Sequence, residues 1–270
     1  MDYNLLERKI MKIVKKASEL TNLKNVEISE KENPSNIVTS ADLAVQTYLC
    51  KELSCLIKDS GFFCEEENVR DNKEYMWIID PIDGTTNFSR NIPDYVISVA
   101  LAHKNEVIIG VVYCPNKKQM FHACKGKGAY LNDKKLNVSN KKFSEGILCS
   151  AMSLYRKEYA KICNDIIYET YMECNDIRRF GSCALELCYL AAGKVDLYFE
   201  IRVFPWDYAA SSLIVKEAGG ILKGFNKEEL HFDKITPLIG ANNEYNYEKL
   251  NGIVNKYMKE ITYERSCNNE

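Results

Sequence analysis

Histidine is scarce in this sequence, and charge of neither sign dominates it. Three histidines, His103, His122 and His231, occur in 270 residues in ordinary strand or turn context, so we expect structural or surface roles for them and no histidine nucleophile. Lys and Arg total 36 against 38 for Asp and Glu, which gives a net charge of −2. No broad basic surface is available to attract nucleic acid, and we expect no nucleic-acid partner.

Several catalytic and targeting motifs are also missing. There is no GxSxG, no Walker A lysine loop and no GxGxxG, so serine hydrolase, P-loop and dinucleotide-binding functions lack their signatures. The eleven cysteines are an odd number without a CxxC pair, and no apolar run approaches the roughly 20 residues that span a bilayer. Without a disulfide framework or a signal peptide, we expect a cytoplasmic protein that is not bound to a membrane.

What is present is an ordinary globular composition, with 46% hydrophobic and 27% charged residues. Apolar residues at three- and four-residue spacing, beginning with Leu5, predict an amphipathic helix over residues 5–20. A second helix follows, with Leu43, Leu49 and Leu53 on its predicted apolar face.

Short buried strands that end in carboxylates come next. The run Phe62-Phe63-Cys64 stops at three glutamates, and residues 76–79 form a second run that ends at Asp80. Residues 95–136, rich in Val, Ile, Tyr and Phe with regular turn signals, predict an antiparallel meander.

The pattern changes after about residue 146 to alternating strands and helices. Residues 195–199 predict a strand ending in Glu200, and residues 206–218 predict a helix closed by two glycines. No linker separates independent domains, so we expect one domain over residues 1–270. Its halves would be residues 1–145, with the antiparallel sheet and the first carboxylate motif, and residues 146–270, with an α/β pattern and the second motif.

The most specific motif is WIIDPIDGTTNF, residues 77–88. A buried strand delivers Asp80, and the chain turns through Pro81 to present Asp83, so two carboxylates three residues apart can share a cation. Gly84-Thr85-Thr86 resembles the start of a helix, where free N–H groups bind phosphate oxygens. In isolation, Asp-Pro and Asp-Gly more often make simple turns, but the combined string favours a cation site beside an anion site.

Two further acidic features lie elsewhere in the chain. Asp207 begins an apolar helix in PWDYAASSLIVKEAGG, where it could instead serve only the helix dipole. Residues 65–67 are three consecutive glutamates, which by themselves would more often be a solvated turn. Together the three regions supply four or more carboxylates, and such hard oxygen ligands suit Mg²⁺, or Mn²⁺ as a substitute, better than zinc.

With these motifs, DPIDGTTNF from Asp80 and WDYAASSLIVKEAGG from Trp206, the chain resembles the inositol monophosphatase family over nearly its whole length. The family belongs to the superfamily that includes fructose-1,6-bisphosphatases and bisphosphate nucleotidases. The resemblance implies an α+β fold, a layered αβαβα sandwich of the sugar phosphatase type, assembled as a homodimer. It also implies inhibition by lithium.

The resemblance assigns metal ligands by motif. One site would use Glu65, Asp80 and the carbonyl of Ile82, and a second would use Asp80, Asp83 and Asp207. Glu66 would assist a third metal through water. The triple glutamate leaves this register open by one position, and Glu65 is favoured because it follows Phe62-Phe63 after a single residue.

The resemblance also assigns catalytic and substrate residues. Thr85, paired with Glu65, would orient the attacking water, with Asp83 completing the catalytic set, while the N–H groups of Gly84 and Thr86 would hold phosphate. Residues placed around the substrate are Asp207, Glu200 as a hydroxyl acceptor, Ser182 and a loop lysine, Lys31.

The predicted function is hydrolysis of inositol monophosphate or a related small polyol or sugar phosphate by metal-activated water. Three alternatives stay open: a fructose-1,6-bisphosphatase or a phosphoadenosine bisphosphate nucleotidase, a broad-range phosphatase, and a non-catalytic regulatory protein that keeps the fold.

Overall fold

The computed structural model describes residues 2–22, 27–30, 37–66, 73–152 and 156–258. Its helices are α1 (Tyr3–Ala17), α2 (Ser40–Ser54), α3 (Thr85–Ser89), α4 (Ala160–Tyr171), α5 (Cys183–Ala191), α6 (Pro205–Glu217) and α7 (Glu244–Met258). Its strands are β1 (Ile28–Glu30), β2 (Ile37–Thr39), β3 (Gly61–Cys64), β4 (Tyr75–Asp83), β5 (Val96–His103), β6 (Glu106–Cys114), β7 (Gln119–Cys124), β8 (Ala129–Leu131), β9 (Lys134–Lys135), β10 (Ile147–Ala151), β11 (Asp176–Arg178), β12 (Leu197–Val203), β13 (Ile221–Lys223) and β14 (Thr236–Ala241).

The strands form one large sheet, one smaller sheet and a two-stranded ribbon of β1 and β2. The large sheet has seven strands in the order β3-β4-β5-β6-β7-β8-β9, and only its β3–β4 pair is parallel. The antiparallel meander predicted over residues 95–136 is therefore confirmed. The smaller sheet has five strands in the order β11-β10-β12-β14-β13, with parallel and antiparallel pairs.

Helices cover both faces of both sheets. Helices α1 and α2 pack on one face of the large sheet through a cluster that includes Ile10, Leu49 and Trp77. Helices α5 and α6 lie between the sheets, in a cluster that joins β5 and β6 to β12. Helices α4 and α7 cover the outer face of the smaller sheet. The predicted αβαβα sandwich is confirmed, and the helices between the sheets bring residues from both halves of the chain together.

Two leucines assigned to apolar helix faces are exposed. Leu5 in α1 is 52% exposed and Leu43 in α2 is 45% exposed, so both predictions were wrong. In α2 the buried face instead contains Val45 with Leu49 and Leu53. Residues 45, 49 and 53 follow four-residue spacing, whereas residue 43 points elsewhere on the helical wheel.

Two strands continue past the carboxylates that were predicted to end them. Strand β4 runs to Asp83, because the chain shifts register after Asp80 and pairs again at Asp83 with Val96. Strand β12 passes through Glu200 and shifts register before Val203. Each carboxylate therefore lies at a strand irregularity, a feature that often re-aims side chains near functional sites.

Among the described residues, no helix combines the length and the apolar character needed to cross a membrane. No disulfide joins the cysteines within the same part of the chain.

The contact between β6 and α6 gives a stability test. A Cβ on Gly110 would lie 2.4 Å from the carbonyl oxygen of Ala210, so Gly110→Ala should lower the free energy of unfolding by about 1–3 kcal/mol or more. Gly252, exposed in α7 with open space around it, is the matched control, and Gly252→Ala should raise stability by about 0.5–1 kcal/mol. Urea unfolding of both variants measures the difference. If Gly110→Ala and Gly252→Ala changed the free energy of unfolding equally, the close contact between β6 and α6 would not limit stability.

Candidate active site

One pocket of about 380 Å³ is built from both halves of the chain. Its walls come from the end of β3, the segment between β4 and α3, the turn before α5, strand β12 and the start of α6. The predicted site residues that line it are Glu65, Asp80, Ile82, Asp83, Gly84, Thr85, Thr86, Ser182, Glu200 and Asp207. Glu66 is buried but does not line this pocket, and Lys31 lies outside the described residues.

Residues 80–86, the aspartate loop, hold their shape through local hydrogen bonds. The N–H of Ile82 donates to Oδ1 of Asp80 at 3.0 Å, and the hydroxyl of Thr85 donates to the carbonyl of Ile82 at 3.1 Å. Gly84 precedes the five-residue helix α3 with φ +96°, a conformation that strains other residues. The Asp-Gly pair therefore makes a turn, and it also turns both aspartates toward the pocket.

Asp83 is held by the start of α5, which lies about 100 positions further along the chain. The hydroxyl of Ser182 donates to Oδ2 of Asp83 at 2.7 Å, and the N–H of Ala184 donates to the same oxygen at 2.6 Å. These bonds are one of the contacts that join the two halves of the chain at the pocket. Ser182 was predicted as a substrate residue, and here it also orients a predicted metal ligand.

Asp207 combines the two roles that were considered for it. Its Oδ2 accepts the N–H of Phe204 at 3.0 Å, and the N–H of Asp207 donates to the carbonyl of Phe204, a reciprocal cap at the start of α6. The same side chain lines the pocket. Capping therefore fixes its direction and does not exclude a ligand role.

Glu200 lies across the pocket from the aspartate loop, beside a buried tyrosine. The hydroxyl of Tyr198 donates to Oε2 of Glu200 at 2.6 Å. Burial raises the pKa of Glu200 to about 8, the bond from Tyr198 opposes that shift, and the nearby Glu186 adds to it. Glu200 therefore offers a ligand a carboxyl group that is partly protonated near its pKa and is oriented by the hydrogen bond from Tyr198.

Ionisation of the aspartates at the pocket is unfavourable. Burial, followed by repulsion from Glu65 and Asp83, raises the pKa of Asp80 well above its usual range. Burial, followed by repulsion from Asp83 and Glu65, does the same for Asp207. Burial raises the pKa of Asp83 to about 7, although its bonds from Ser182 and Ala184 lower it. Carboxylates crowded in this way are stabilised when a cation lies between them.

The donor set fits a hard divalent cation. The candidate ligands are carboxylates and one backbone carbonyl, the oxygen donors that Mg²⁺ prefers. Among the residues that the structure describes, no three acidic, histidine or cysteine side chains already surround a single point. The candidate ligands nevertheless line one pocket.

Sequence reasoning missed several pocket residues. Arg179 and Arg202 supply positive charge, Asn87 follows the aspartate loop, and Glu186 lies in the first turn of α5. Only Asn87 stood inside the string quoted from the sequence, and nothing in the local pattern marked Glu186. Asp42, in the first turn of α2, was not predicted as a site residue, yet burial raises its pKa to about 7, and Glu65 and Glu66 add to the shift.

Comparisons with known proteins agree with this architecture. The sequence model of the inositol monophosphatase family matches residues 1–259. Nus factor SuhB of Salmonella typhimurium is 39% identical over 203 residues, which cover 74% of this chain and 76% of the relative. An inositol monophosphatase (IMPase) structure from Thermotoga maritima is similar with 30% identity and a TM-score of 0.83, covering 97% of this chain and 100% of that one. The extragenic suppressor protein suhB from Bartonella henselae is similar with 28% identity and a TM-score of 0.85, covering 93% and 99%.

The raised pKa values predict how stability depends on pH without metal. The folded pKa values are about 7 for Asp83 and about 8 for Glu200, while unfolded carboxyl groups titrate near 4. Between about pH 4 and 8 the folded protein thus retains protons that the unfolded chain has released, so the free energy of unfolding falls as pH rises. In chelator we expect a loss on the order of 2 kcal/mol or more between pH 5 and 8 by urea unfolding. Glu200→Gln should show a smaller loss, and flat or rising stability in the parent would contradict the electrostatic account.

Proposed function

Because the chain belongs to the inositol monophosphatase family, we propose that it is a magnesium-dependent phosphomonoesterase that hydrolyses inositol monophosphate or a related small polyol or sugar phosphate. The observation that supports this most is the single pocket onto which Glu65, Asp80, Asp83 and Asp207 converge. A net charge of −2 offers no broad attraction for a phosphate ester, so bound cations would supply the local positive charge.

In this proposal, Glu65, Asp80 and the Ile82 carbonyl hold one Mg²⁺, while Asp80, Asp83 and Asp207 hold a second. Glu66 would act through water at a third. When bound, the ions neutralise the phosphate ester and lower the pKa of the attacking water. Mn²⁺ is the expected substitute.

The chain's own residues orient the reaction. The hydroxyl of Thr85 donates its proton to the carbonyl of Ile82, so its oxygen remains an acceptor for the attacking water. Thr85 would orient that water by accepting its hydrogen bond, and the carboxylate of Glu65 would receive its proton. The N–H groups of Gly84 and Thr86 would bind the phosphate oxygens, with Lys31 as a further contact from its loop.

A direct displacement by water fits this pocket better than a covalent intermediate. Cys183 also lines the pocket, but burial, followed by repulsion from Glu200 and Asp207, raises the pKa of its thiol well above its usual range. A neutral thiol is a weak nucleophile. In-line attack by an oriented water is therefore favoured over attack by this thiol, with positioning and electrostatics lowering the barrier.

We further propose that the protein acts in the cytoplasm as a homodimer, is inhibited by lithium, and folds as one domain of residues 1–270 with halves 1–145 and 146–270. Fructose-1,6-bisphosphatase and phosphoadenosine bisphosphate nucleotidase remain alternatives because they would use the same metal core. The name of the Salmonella relative, Nus factor, favours a second candidate, a regulatory protein that keeps the fold. Phosphate release measured across a substrate panel with Mg²⁺ separates these functions.

The metal ligands give the first test of the proposal. Asp80→Asn removes one charge from a side chain assigned to both metals, so phosphate release should fall by about 10³-fold or more, while the folded state survives because repulsion is relieved. Asp133→Asn, in the exposed turn between β8 and β9, is the matched control and should retain parental activity. Excess chelator should abolish parental turnover, and Mg²⁺ should restore it. Full activity in chelator would refute the metal mechanism.

Glu200 gives a test of substrate recognition. Above about pH 8, where Glu200 is mostly ionised, a charge-assisted hydrogen bond to a substrate hydroxyl contributes about 1.5–3 kcal/mol, so Glu200→Ala should there lower kcat/KM for inositol monophosphate by roughly 10- to 100-fold. A small aromatic phosphate without hydroxyl groups should be hydrolysed almost as well by the variant as by the parent. Equal losses on the two substrates would mean that Glu200 supports the pocket and does not recognise the polyol.

A further inference from the structure

Residues 180–182, the serine turn, lie between β11 and α5. Buried or half-buried side chains from two parts of the chain form hydrogen bonds with its backbone. Oε1 of Glu186 accepts the N–H of Phe180 at 2.5 Å and the N–H of Gly181 at 2.9 Å. On the other side, the amide Nδ2 of Asn87 donates to the carbonyl of Phe180 at 2.6 Å and to the carbonyl of Asp94 at 2.7 Å. Both backbone polar groups of Phe180 are thus held by side chains.

The two gripping residues belong to different halves of the molecule. Asn87 lies in α3, directly after the aspartate loop, and Glu186 lies in α5, between the sheets. Glu186 is only 1% exposed, and a carboxylate buried to that extent weakens the fold unless hydrogen bonds compensate it. Here the compensating donors are the amides of the serine turn, so the bond serves both the buried charge and the turn.

The serine turn is also packed too closely on the aspartate loop for ordinary side chains. A Cβ on Gly84 would lie 3.2 Å from the carbonyl oxygen of Gly181 and 3.3 Å from the Cβ of Ser182. A Cβ on Gly181 would lie 3.1 Å from Nδ2 of Asn87, and its φ of +80° already favours glycine. The turn and the loop therefore have little room to shift independently.

The serine turn presents one donor to Asp83 and leads directly into the α5 residue that presents the other. Ser182 ends the turn, and its hydroxyl and the N–H of Ala184 converge on Oδ2 of Asp83. If the turn moves, the Ser182 hydroxyl moves with it, and Asp83 loses one of the two bonds that fix its rotamer. A ligand that is misplaced by about 1 Å binds a cation poorly, because metal sites depend on the residues that orient their ligands.

We propose that Glu186 and Asn87 are positioning residues, which clamp the serine turn onto the aspartate loop from opposite sides and thereby hold Asp83 in place for a divalent cation. The proposal deepens the proposed function, since Asp83 matters as a ligand only if the pocket binds metal. It assigns neither residue a contact with substrate. The role of Glu186 depends on its acceptor oxygen and not on its charge.

The test compares Glu186→Gln with Glu186→Leu in the full chain, with Mn²⁺ alone as the probe and electron paramagnetic resonance of free Mn²⁺ as the readout. Glu186→Gln keeps an acceptor oxygen for both amides, so its Mn²⁺ affinity should stay within about 3-fold of the parent. Glu186→Leu keeps the bulk without the acceptor, and its affinity should fall about 10-fold or more. Asn87→Leu, which removes the donor on the other side, should produce a similar loss. In Mg²⁺-dependent phosphate release, kcat should fall with affinity at low metal and recover in part at saturating Mg²⁺.

Thermal unfolding separates positioning from a purely structural role. If the folded Glu186→Leu protein has a lower Tm but binds Mn²⁺ like the parent, the proposal is overturned. If Glu186→Gln loses as much affinity as Glu186→Leu, charge matters instead of the hydrogen bonds, and the proposal is again overturned. Should Glu186→Leu fail to fold, Asn87→Leu and Glu186→Gln still decide the outcome.

The same experiment distinguishes this proposal from the proposed function. If Mn²⁺ affinity changes across the variants as expected but the parent releases no phosphate from any substrate, the clamp is supported and the phosphatase is rejected. A parent that binds no Mn²⁺ would reject the clamp together with the cation site.

Discussion

The removal of several carboxylates from water in one pocket is the constraint on which the rest of this structure depends. Asp80, Asp83 and Asp207 each have a raised pKa, with burial as the largest cause and neighbouring carboxylates as a further one. Such a cluster opposes folding unless protons, hydrogen-bond donors or cations compensate it. Protons provide this compensation when no metal is bound, and the oxygen donors of the pocket suit Mg²⁺ as the alternative.

The layered fold supplies the donors that hold these groups in place. Because α5 and α6 lie between the two sheets, the start of each helix reaches the aspartate loop of the large sheet. The start of α5 donates two hydrogen bonds to Asp83, and the N–H of Phe204 caps Asp207 at the start of α6. The strand irregularities after Asp80 and Glu200 turn these side chains toward the same pocket. The carboxylate pocket and the contact between the two halves of the chain are therefore one structural unit.

Local sequence patterns predicted the parts of this unit that local physics determines. The periodicity of α1, the meander and the turn at Gly84 follow from spacing and backbone preference, and the resemblance carried by the motif strings gave the layered fold. The grip of Asn87 on Phe180 joins residues 93 positions apart, and no local pattern encodes such a pair. Strands β13 and β14 and helix α7 also went unpredicted, and β4 was ended too early because its pairing resumes at Asp83 only through tertiary contact with β5.

The central claim is that cations replace protons among these carboxylates, and calorimetry of Mg²⁺ binding tests it most directly. Titrations of the metal-free protein in buffers of different ionisation enthalpy give the number of protons released on binding. With the pKa of Asp83 at about 7 and those of Asp80 and Asp207 well above their usual range, Mg²⁺ should release protons near pH 6.5 and fewer as the pH rises. Asp80→Asn should reduce both the affinity and the proton release. Mg²⁺ binding without proton release near pH 6.5, or no Mg²⁺ binding at all, would contradict the account.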